Sequence, residues 1–301
     1  MSRVFLRLPA TSANLGPGFD TLALALQLHL EVEAEAAQAF SIGASGRNAE
    51  ICGTVENNLL IETYSALLRE QARSVVPLSI RMRNEIPLGM GCGSSAAVRL
   101  AAAALAAHFG GLAWDRERIL AEACRLEGHP DNAAACWLGG FVASAAEGDR
   151  IEAISLAPAA EWRALLAMPE QPLATTASRA VLPDRYSRGD AVANLQRVAL
   201  LTAAFATRRA ESLAVAMGDR LHQPYRAGVC PLLRKLLPLA GQDGIAGVAL
   251  SGAGPAVLLL ADSDGAARQA RERMRRELKG EEVEILACEL EREPASYRIL
   301  D

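Results

Sequence analysis

The segment from Pro87 to Gly111, PLGMGCGSSAAVRLAAAALAAHFGG, joins a glycine-rich loop directly to a helix that is apolar on almost every side. Residues 96–109 favour a buried helix that Ser94 or Ser95 could cap, and its alanines allow a sheet to approach closely. A helix N-terminus presents unpaired N–H groups, and glycines let those amides approach an anion. The alternatives are a polyphosphate cradle and a glycine-rich turn, and the three alternate glycines with two serines favour the cradle.

Two common nucleotide-binding motifs do not fit this loop. A Walker-type loop needs a lysine, and the chain has only Lys235 and Lys279, both far downstream. A dinucleotide-binding fold is excluded because Gly89-x-Gly91-x-Gly93 lacks the spacing of the third glycine. A cradle at this position would therefore use backbone amides, a serine hydroxyl and a divalent metal.

Three further segments are rich in polar or glycine residues: Pro9–Asp20 (PATSANLGPGFD), Glu127–Asn132 (EGHPDN) and Ser251–Pro255 (SGAGP). The second places two carboxylates, an imidazole and an amide within six residues. Such a cluster suits a metal, a proton acceptor or a polar substrate, and it also suits a hydrogen-bonded turn. Taken alone, the first segment indicates a polar turn and the third a tight hairpin.

Hydrophobic periodicity predicts a mixture of strands and helices. Strands are expected at 2–8, 24–35, 78–83, 247–250, 256–261 and 283–289, and helices at 57–73, 96–109, 115–126, 190–207, 209–221, 231–240 and 264–278. Residues 9–20 are expected to be rich in turns, and the prolines after residue 150 indicate strands and loops. The β-β-α-β order at the end suggests a second α+β domain.

Composition excludes several classes of protein. A formal net charge of -4 argues against a nucleic-acid partner, and no apolar run is long enough to span a membrane. Six cysteines without zinc-ligand spacing predict reduced thiols in a cytoplasmic protein. Cys92, at the predicted helix start, is expected to be reactive because a helix N-terminus favours the thiolate. The sequence does not set the oligomeric state and leaves a homodimer open.

Four segments, in this order and spacing, resemble the signature segments of the GHMP kinases, which are ATP-dependent small-molecule kinases: Pro9–Asp20, Pro87–Ala97, Glu127–Asn132 and Ser251–Pro255. The resemblance covers essentially the whole chain. The segments Pro9–Asp20 and Glu127–Asn132, with Thr175–Pro183 and Gln223–Arg226, are most similar to the members that phosphorylate homoserine. The resemblance implies a two-domain α+β fold, with an ATP-binding domain over residues 1–155, a ferredoxin-like domain over residues 156–301, and the site between them.

The resemblance also implies roles for individual residues. The ATP phosphates would be bound by Pro87, Leu88, Gly89, Met90, Gly91, Cys92, Gly93, Ser94, Ser95, Ala96 and Ala97, with Asn58 near the adenine. The amino-acid pocket would be lined by Asn14, Asp20, His129, Asp131, Asn132, Thr175, Arg179 and Arg226. Magnesium would be held by Ser95 and a carboxylate, for which Glu127 is preferred over Glu122. Cys92 stands where the family usually has leucine, which leaves the backbone role intact.

The implied reaction is the ATP- and Mg²⁺-dependent phosphorylation of the L-homoserine hydroxyl, with Ser95, Asp131 and Asn132 as catalytic residues. Two arginines that suit a carboxylate, and Asp20 for an ammonium group, favour an amino acid as substrate. The alternatives are a GHMP kinase that acts on threonine, mevalonate or a sugar, and a catalytically silent binding protein of the same fold. The sequence leaves open whether Asp131 removes the hydroxyl proton or only orients the hydroxyl.

Overall fold

The computed structural model describes residues 3–148 and 150–300, which form two β-sheets and the helices packed against them. The first sheet contains β1 (Arg3–Ala13), β2 (Leu22–Ala36), β3 (Ser41–Gly46), β4 (Leu78–Asn84), β5 (Phe141–Glu147), β6 (Arg150–Leu156) and β11 (Ser296–Leu300). The second contains β7 (Arg163–Pro169), β8 (Gly247–Leu250), β9 (Val257–Ala261) and β10 (Val283–Glu289).

The described helices are α1 (Ala49–Cys52), α2 (Leu59–Glu70), α3 (Ser94–Phe109), α4 (Arg116–Glu127), α5 (Asp131–Leu138), α6 (Thr175–Ala180), α7 (Arg188–Thr207), α8 (Leu213–Ala216), α9 (Gln223–Arg226), α10 (Pro231–Leu236) and α11 (Asp264–Glu277). Two short 3-10 helices are formed by Ala210–Ser212 and Leu237–Leu239. In the part of the chain that the structure describes, no helix has the length and apolar character needed to cross a membrane.

The long strand β2 organises the first sheet. Strand β1 pairs with it antiparallel over nearly its whole length, with a bulge between Pro9 and Ala10. The other edge of β2 is shared, because its first residues pair with β5 and its last residues pair with β4. This arrangement holds the connecting segment 14–21 at one end of the sheet, where Asn14 contacts the second domain through Gly252.

Helix α3 lies at the centre of the first domain, as its composition predicts. Ten of its residues are buried, and it packs against α2, α4, α5 and the strands β1 and β2. Its alanines permit these close approaches on all sides. The N-cap is Gly93 and no side chain caps the helix, so the expectation that Ser94 or Ser95 would cap it is wrong. The serine hydroxyls are therefore available for other contacts.

The second sheet has the strand order β10-β7-β9-β8, with every pair antiparallel. Helix α11 connects β9 to β10, and the segment from α6 to α10 connects β7 to β8. This is the β-α-β-β-α-β arrangement of ferredoxin-like domains. One face of the sheet packs with α10 and α11, and the other face joins the core of the first domain. The predicted ferredoxin-like second domain is confirmed.

Three segments differ from their predicted structure. Residues 9–13 continue strand β1, and residues 175–180 form α6. The helix expected over 209–221 is broken after α8, because the Asp219 carboxylate accepts hydrogen bonds from the N–H groups of Leu221, His222 and Gln223 and so begins α9. Ser2, at the start of a predicted strand, lies outside the described residues.

The last strand returns to the first sheet. The chain passes from the first sheet to the second between β6 and β7, close to the expected domain division at residue 155, which stays a prediction. After β10, however, β11 pairs antiparallel with β1, so the end of the chain adds to the first sheet. Strand β11 has no local signal in the sequence, since a five-residue strand gains its stability from pairing with a distant part of the chain.

Glu291, between β10 and β11, forms hydrogen bonds that hold this part of the chain against the first sheet. Its carboxylate accepts hydrogen bonds from His29 Nε2 at 2.9 Å and from the backbone N–H groups of Arg292 and Glu293. Burial alone would raise the pKa of Glu291, but the hydrogen bonds outweigh burial and hold its pKa below 4.5. The ionised carboxylate therefore stabilises the folded chain.

Glu291→Gln should lower the free energy of unfolding by about 1–3 kcal/mol near neutral pH, because a charge-assisted acceptor is lost. A carboxyl whose pKa is lowered by folding contributes stability above its unfolded pKa and loses it as the pH falls through the folded value. The difference between the two proteins should therefore shrink below pH 4.5. Urea unfolding at several pH values measures this, with the exposed Glu289→Gln as control. Equal stability of the native protein and Glu291→Gln at pH 7 would contradict the assignment.

Candidate active site

The loop between β4 and α3 is folded with its carbonyl groups engaged by the rest of the protein. The carbonyl oxygens of Gly89, Met90, Gly91 and Cys92 accept hydrogen bonds from Leu173 N, Ala256 N, Ser251 Oγ and Thr11 N, respectively. The first N–H groups of α3 have no acceptor within the helix, as at any helix start. The loop therefore presents donors, which suits an anion.

Glycine is required at two positions of this loop. Gly91 and Gly93 have φ of +76° and +72°, a region that other residues rarely adopt. A Cβ atom on Gly91 would overlap the carbonyl oxygen of Ser251, and one on Gly93 would overlap the hydroxyl of Thr11. The loop can therefore take this path only with glycine at both positions.

A cleft of about 450 Å³ lies between this loop and the second domain. Most of the predicted site residues line it: Asn14, Asp20, Gly89, Gly91, Cys92, Gly93, Ser94, Ser95, Glu127, His129, Asp131, Asn132, Thr175, Arg179 and Arg226. The turn Gly252–Gly254 closes one side. All four polar or glycine-rich segments thus meet in one cleft. The sequence of any single segment could not show that it lies beside the other three.

The remaining predicted residues lie elsewhere. Pro87, Leu88 and Met90 line a separate groove of about 490 Å³ next to the loop. Ala96 and Ala97 are fully buried in the core, so only their backbone could contact a ligand. The side chain of Asn58 caps α2 by accepting a hydrogen bond from Leu60 N and donating to the Cys52 and Thr54 carbonyls. Its place near an adenine stays a prediction.

Ser95 and Glu127 lie side by side at the loop end of the cleft. The Ser95 hydroxyl donates to Glu127 Oε1 at 2.7 Å, and the same oxygen accepts from Arg99 at 2.7 Å. Glu122, the alternative carboxylate, is held instead by Arg118 and Arg125 and lines a different cavity. Of the two carboxylates, Glu127 is the one beside Ser95. Together they offer oxygen ligands of the kind that Mg²⁺ prefers.

Asp20 and Arg179 form a two-pronged ion pair at the other end of the cleft. The guanidinium nitrogens lie 2.6 and 3.1 Å from the two carboxylate oxygens, and the pair is partly exposed to the cleft. Asp20 has a positive φ of 55°, a conformation that aspartate tolerates better than most residues. This pair presents one positive and one negative group side by side.

Arg226 is held rigidly next to that pair. Its side chain is 1% exposed, Nε donates to the Ser178 carbonyl, and one terminal nitrogen donates to the Gly252 carbonyl. The same nitrogen lies 3.2 Å from Nδ1 of His222, whose Nε2 lies 2.7 Å from the Gly16 carbonyl. Burial lowers the pKa of His222, which keeps the ring neutral with Nδ1 as an acceptor. His222 therefore positions Arg226.

His129, Asp131 and Asn132 form a connected group against Asp20. His129 Nδ1 lies 2.6 Å from Asp131 Oδ1, and the same oxygen accepts from the Asn132 N–H at 2.7 Å. Burial by itself would lower the pKa of His129, but the hydrogen bond and charge of Asp131, with the charge of Asp20, raise it. Because the Asp131 carboxylate can only accept, Nδ1 of His129 is the donor in this hydrogen bond.

The residues of the site that were not predicted include Arg99, His222 and Phe19. Arg99 follows Ser95 by one helical turn, so the i, i+4 spacing could have indicated it. His222 immediately precedes the Gln223–Arg226 segment, but its contact with Gly16 crosses 206 residues and has no sequence signal. The Phe19 ring lies 5.3 Å from the guanidinium carbons of Arg179 and Arg226. Phe19 was not singled out as a site residue, although it belongs to the segment Pro9–Asp20.

The expectation that Cys92 is a reactive thiol is wrong. Its side chain is 1% exposed and packs in the core, while its backbone forms part of the glycine loop. Burial raises the pKa of the Cys92 thiol to about 12 and outweighs any effect of the helix start. Cys92 is therefore a packing residue.

Cys92 should resist iodoacetamide in the native protein at about pH 8, since a buried thiol with this pKa is almost fully protonated. Peptide mass spectrometry after timed labelling measures this, with the more accessible Cys52 as internal comparison. Labelling in denaturant should remove the protection. Native labelling of Cys92 as fast as in denaturant would contradict the burial.

Comparisons with known proteins agree with this geometry. Residues 58–140 match the model of the GHMP kinases N terminal domain, and residues 201–280 match that of the GHMP kinases C terminal. The homoserine kinase of Solibacter usitatus is 44% identical over 257 residues, which are 84% of this chain and 84% of that protein. The homoserine kinase of Streptomyces coelicolor is 43% identical over 87% of this chain and 86% of that protein.

The fold is also similar to a solved structure. The crystal structure of homoserine kinase from Cytophaga hutchinsonii superposes with a TM-score of 0.82 and 23% identity, covering 98% of this chain and 97% of that one. The likeness extends over both domains. The chain belongs to the homoserine kinase family of the GHMP kinases.

Proposed function

We propose that this chain is an ATP-dependent homoserine kinase, which transfers the γ-phosphoryl group of ATP to the side-chain hydroxyl of L-homoserine. The product is O-phospho-L-homoserine, an intermediate toward threonine. One observation carries the proposal: a donor-lined loop with Ser95 and Glu127 shares a single cleft with the Asp20–Arg179 pair and Arg226. Because the reaction consumes ATP, we place the enzyme in the cytoplasm.

The Asp20 end of the cleft suits a zwitterion. The ammonium group of an amino acid can pair with Asp20, and its carboxylate can pair with Arg179 and Arg226. Arginine is suited to the second task because its planar fork matches a carboxylate. Asn14, Thr175 and Asn132 add uncharged polar groups to the same cleft. A substrate without both charges would leave one member of the Asp20–Arg179 pair without a matching group.

The loop end of the cleft suits the phosphates. Loop amides and the start of α3 would bind the triphosphate, and the groove lined by Pro87, Leu88 and Met90 offers space for the nucleoside. Ser95 and Glu127 supply hard oxygen ligands, so we assign them to Mg²⁺. When bound, Mg²⁺ neutralises charge on the phosphate oxygens.

Phosphoryl transfer depends mainly on positioning and charge stabilisation. The homoserine oxygen would attack the γ-phosphorus in line and form the new P–O bond as the bond to the bridging oxygen breaks and ADP leaves. The hydroxyl proton would be released to solvent as the new bond forms. In a loose transition state the attacking hydroxyl needs little activation. Since Asp131 Oδ1 already accepts hydrogen bonds from His129 and Asn132, we assign Asp131 and Asn132 to orienting that hydroxyl.

The direct test is product formation from Mg-ATP and L-homoserine. We expect ADP and O-phospho-L-homoserine in equal amounts, identified by phosphorus NMR. Threonine, serine, mevalonate and galactose, offered at the same concentration, should be poorer acceptors because they lack the charges or the reach of homoserine. Turnover of mevalonate or galactose without turnover of homoserine would exclude the proposed substrate.

Arg179→Leu should lower kcat/KM for homoserine by about 10- to 100-fold, mainly through KM, because a charge-assisted contact with the substrate carboxylate is lost. The KM for ATP should change little, since the phosphate loop is at the other end of the cleft. Discrimination between homoserine and 3-aminopropanol, which lacks the carboxylate, should fall in the same proportion.

The matched control for this variant is Arg185→Leu, an exposed arginine beyond α6 that does not line the cleft. Arg226 is a poorer choice because its buried hydrogen bonds also support the fold. If Arg179→Leu discriminates between the two acceptors as strongly as the native enzyme, Arg179 does not bind the carboxylate.

A further inference from the structure

Arg99 is a charged residue of the cleft that the proposed mechanism does not yet use. It lies on α3 one turn after Ser95, its side chain is 25% exposed, and it lines the cleft. Its guanidinium lies 2.7 Å from Glu127 Oε1, while the Glu127 side chain is only 9% exposed. Arg99 therefore neutralises a nearly buried carboxylate at the phosphate end of the cleft.

The other arginines near the loop have different partners. Arg179 is engaged by Asp20, and Arg226 by the Ser178 and Gly252 carbonyls, both at the opposite end of the cleft. Arg47 lies in the neighbouring groove and is engaged by Glu284. The two lysines of the chain are Lys235, paired with Glu281, and Lys279, which is exposed. Arg99 is thus the side-chain cation best placed for the phosphates.

A triphosphate with one divalent ion keeps a negative charge, and that charge is redistributed during transfer. Cations aimed at the phosphoryl oxygens stabilise this redistribution. A guanidinium can bind two phosphate oxygens through a planar, fixed pair of N–H donors, a geometry that a lysine ammonium does not offer. Arg99 has the required chemistry and already lies within a turn of the proposed magnesium ligand Ser95.

We propose that Arg99 binds the terminal phosphates of the nucleotide and that, without nucleotide, its pairing with Glu127 opposes binding of a free divalent cation. This inference rests on the proposed kinase function. In the free protein, the guanidinium occupies the carboxylate and repels a second cation. When metal and nucleotide arrive together, the phosphates provide a new partner for Arg99, and Glu127 becomes available to the metal. Arg99 would thus favour the metal–nucleotide complex over the bare metal.

The two roles predict effects of opposite sign when the charge is removed. In Arg99→Met, nucleotide affinity should fall because a phosphate contact is lost, whereas metal affinity without nucleotide should rise because the competing cation is gone. A salt bridge with only a structural role would change neither equilibrium in this way. The opposed signs therefore separate the proposal from a general loss of stability.

The experiment measures both equilibria on the whole protein. Binding of Mn²⁺ to the nucleotide-free protein is followed by electron paramagnetic resonance, and binding of a non-hydrolysable ATP analogue at saturating Mg²⁺ by calorimetry. Arg118→Met is the matched control, since Arg118 also pairs with a buried glutamate, Glu122, but lies outside the cleft. Arg99→Lys keeps the charge, so comparing it with Arg99→Met separates the loss of the charge from a general loss of folded structure.

We expect Arg99→Met to bind the nucleotide analogue about 10- to 100-fold more weakly, the size of a lost charge-assisted contact. It should bind Mn²⁺ alone a few-fold more tightly, because a like charge near the site has been removed. Arg99→Lys should show a smaller loss of nucleotide affinity, and Arg118→Met should match the native protein.

Native-like nucleotide affinity in Arg99→Met, or weaker Mn²⁺ binding in that variant, would overturn the proposal. Neither measurement requires an acceptor. A failure of homoserine to be phosphorylated would therefore count against the proposed function while leaving this test valid.

Discussion

The contact between two glycine turns, one from each domain, determines the geometry of the cleft. Ser251 Oγ donates to the Gly91 carbonyl at 2.8 Å, and Ala256 N donates to the Met90 carbonyl at 3.3 Å. Gly91 lies so close to the Ser251–Gly254 turn that a side chain there would overlap backbone atoms. Backbone groups in direct contact have less freedom to adjust than side chains in a core. The positions of the glycine loop and the arginines relative to one another follow from this contact.

Most of the charged groups of the cleft are arranged in pairs of opposite sign. Three pairs are formed: Glu127 with Arg99, Asp20 with Arg179, and Asp131 with His129. Pairing reduces the cost of keeping charges in a partly buried site. It also holds the side chains close to the places where phosphate, ammonium and carboxylate groups would replace one partner. Arg226 is the exception, because it is held by the Ser178 and Gly252 carbonyls and not by a carboxylate.

The local features of the fold could be predicted from the sequence, and the long-range ones could not. The glycine loop and the buried alanine helix were correctly placed because their signals lie within a few residues of each other. Strand β11 and the contact of His222 with Gly16 depend on parts of the chain that are far apart in sequence. For Cys92, the helix-start argument failed because burial has the larger effect on the pKa of a thiol. Sequence reasoning named most of the residues that line the cleft, but not how they are paired.

The central claim is that one cleft holds the terminal phosphate and the acceptor hydroxyl together, so that the phosphoryl group moves directly between them. The most direct test is the stereochemistry of the transfer from ATP made chiral at the γ-phosphorus with oxygen isotopes. A single in-line displacement predicts that the phosphorus in O-phospho-L-homoserine has inverted configuration. Retention of configuration would mean two successive displacements through a phosphorylated protein group, and would contradict the account.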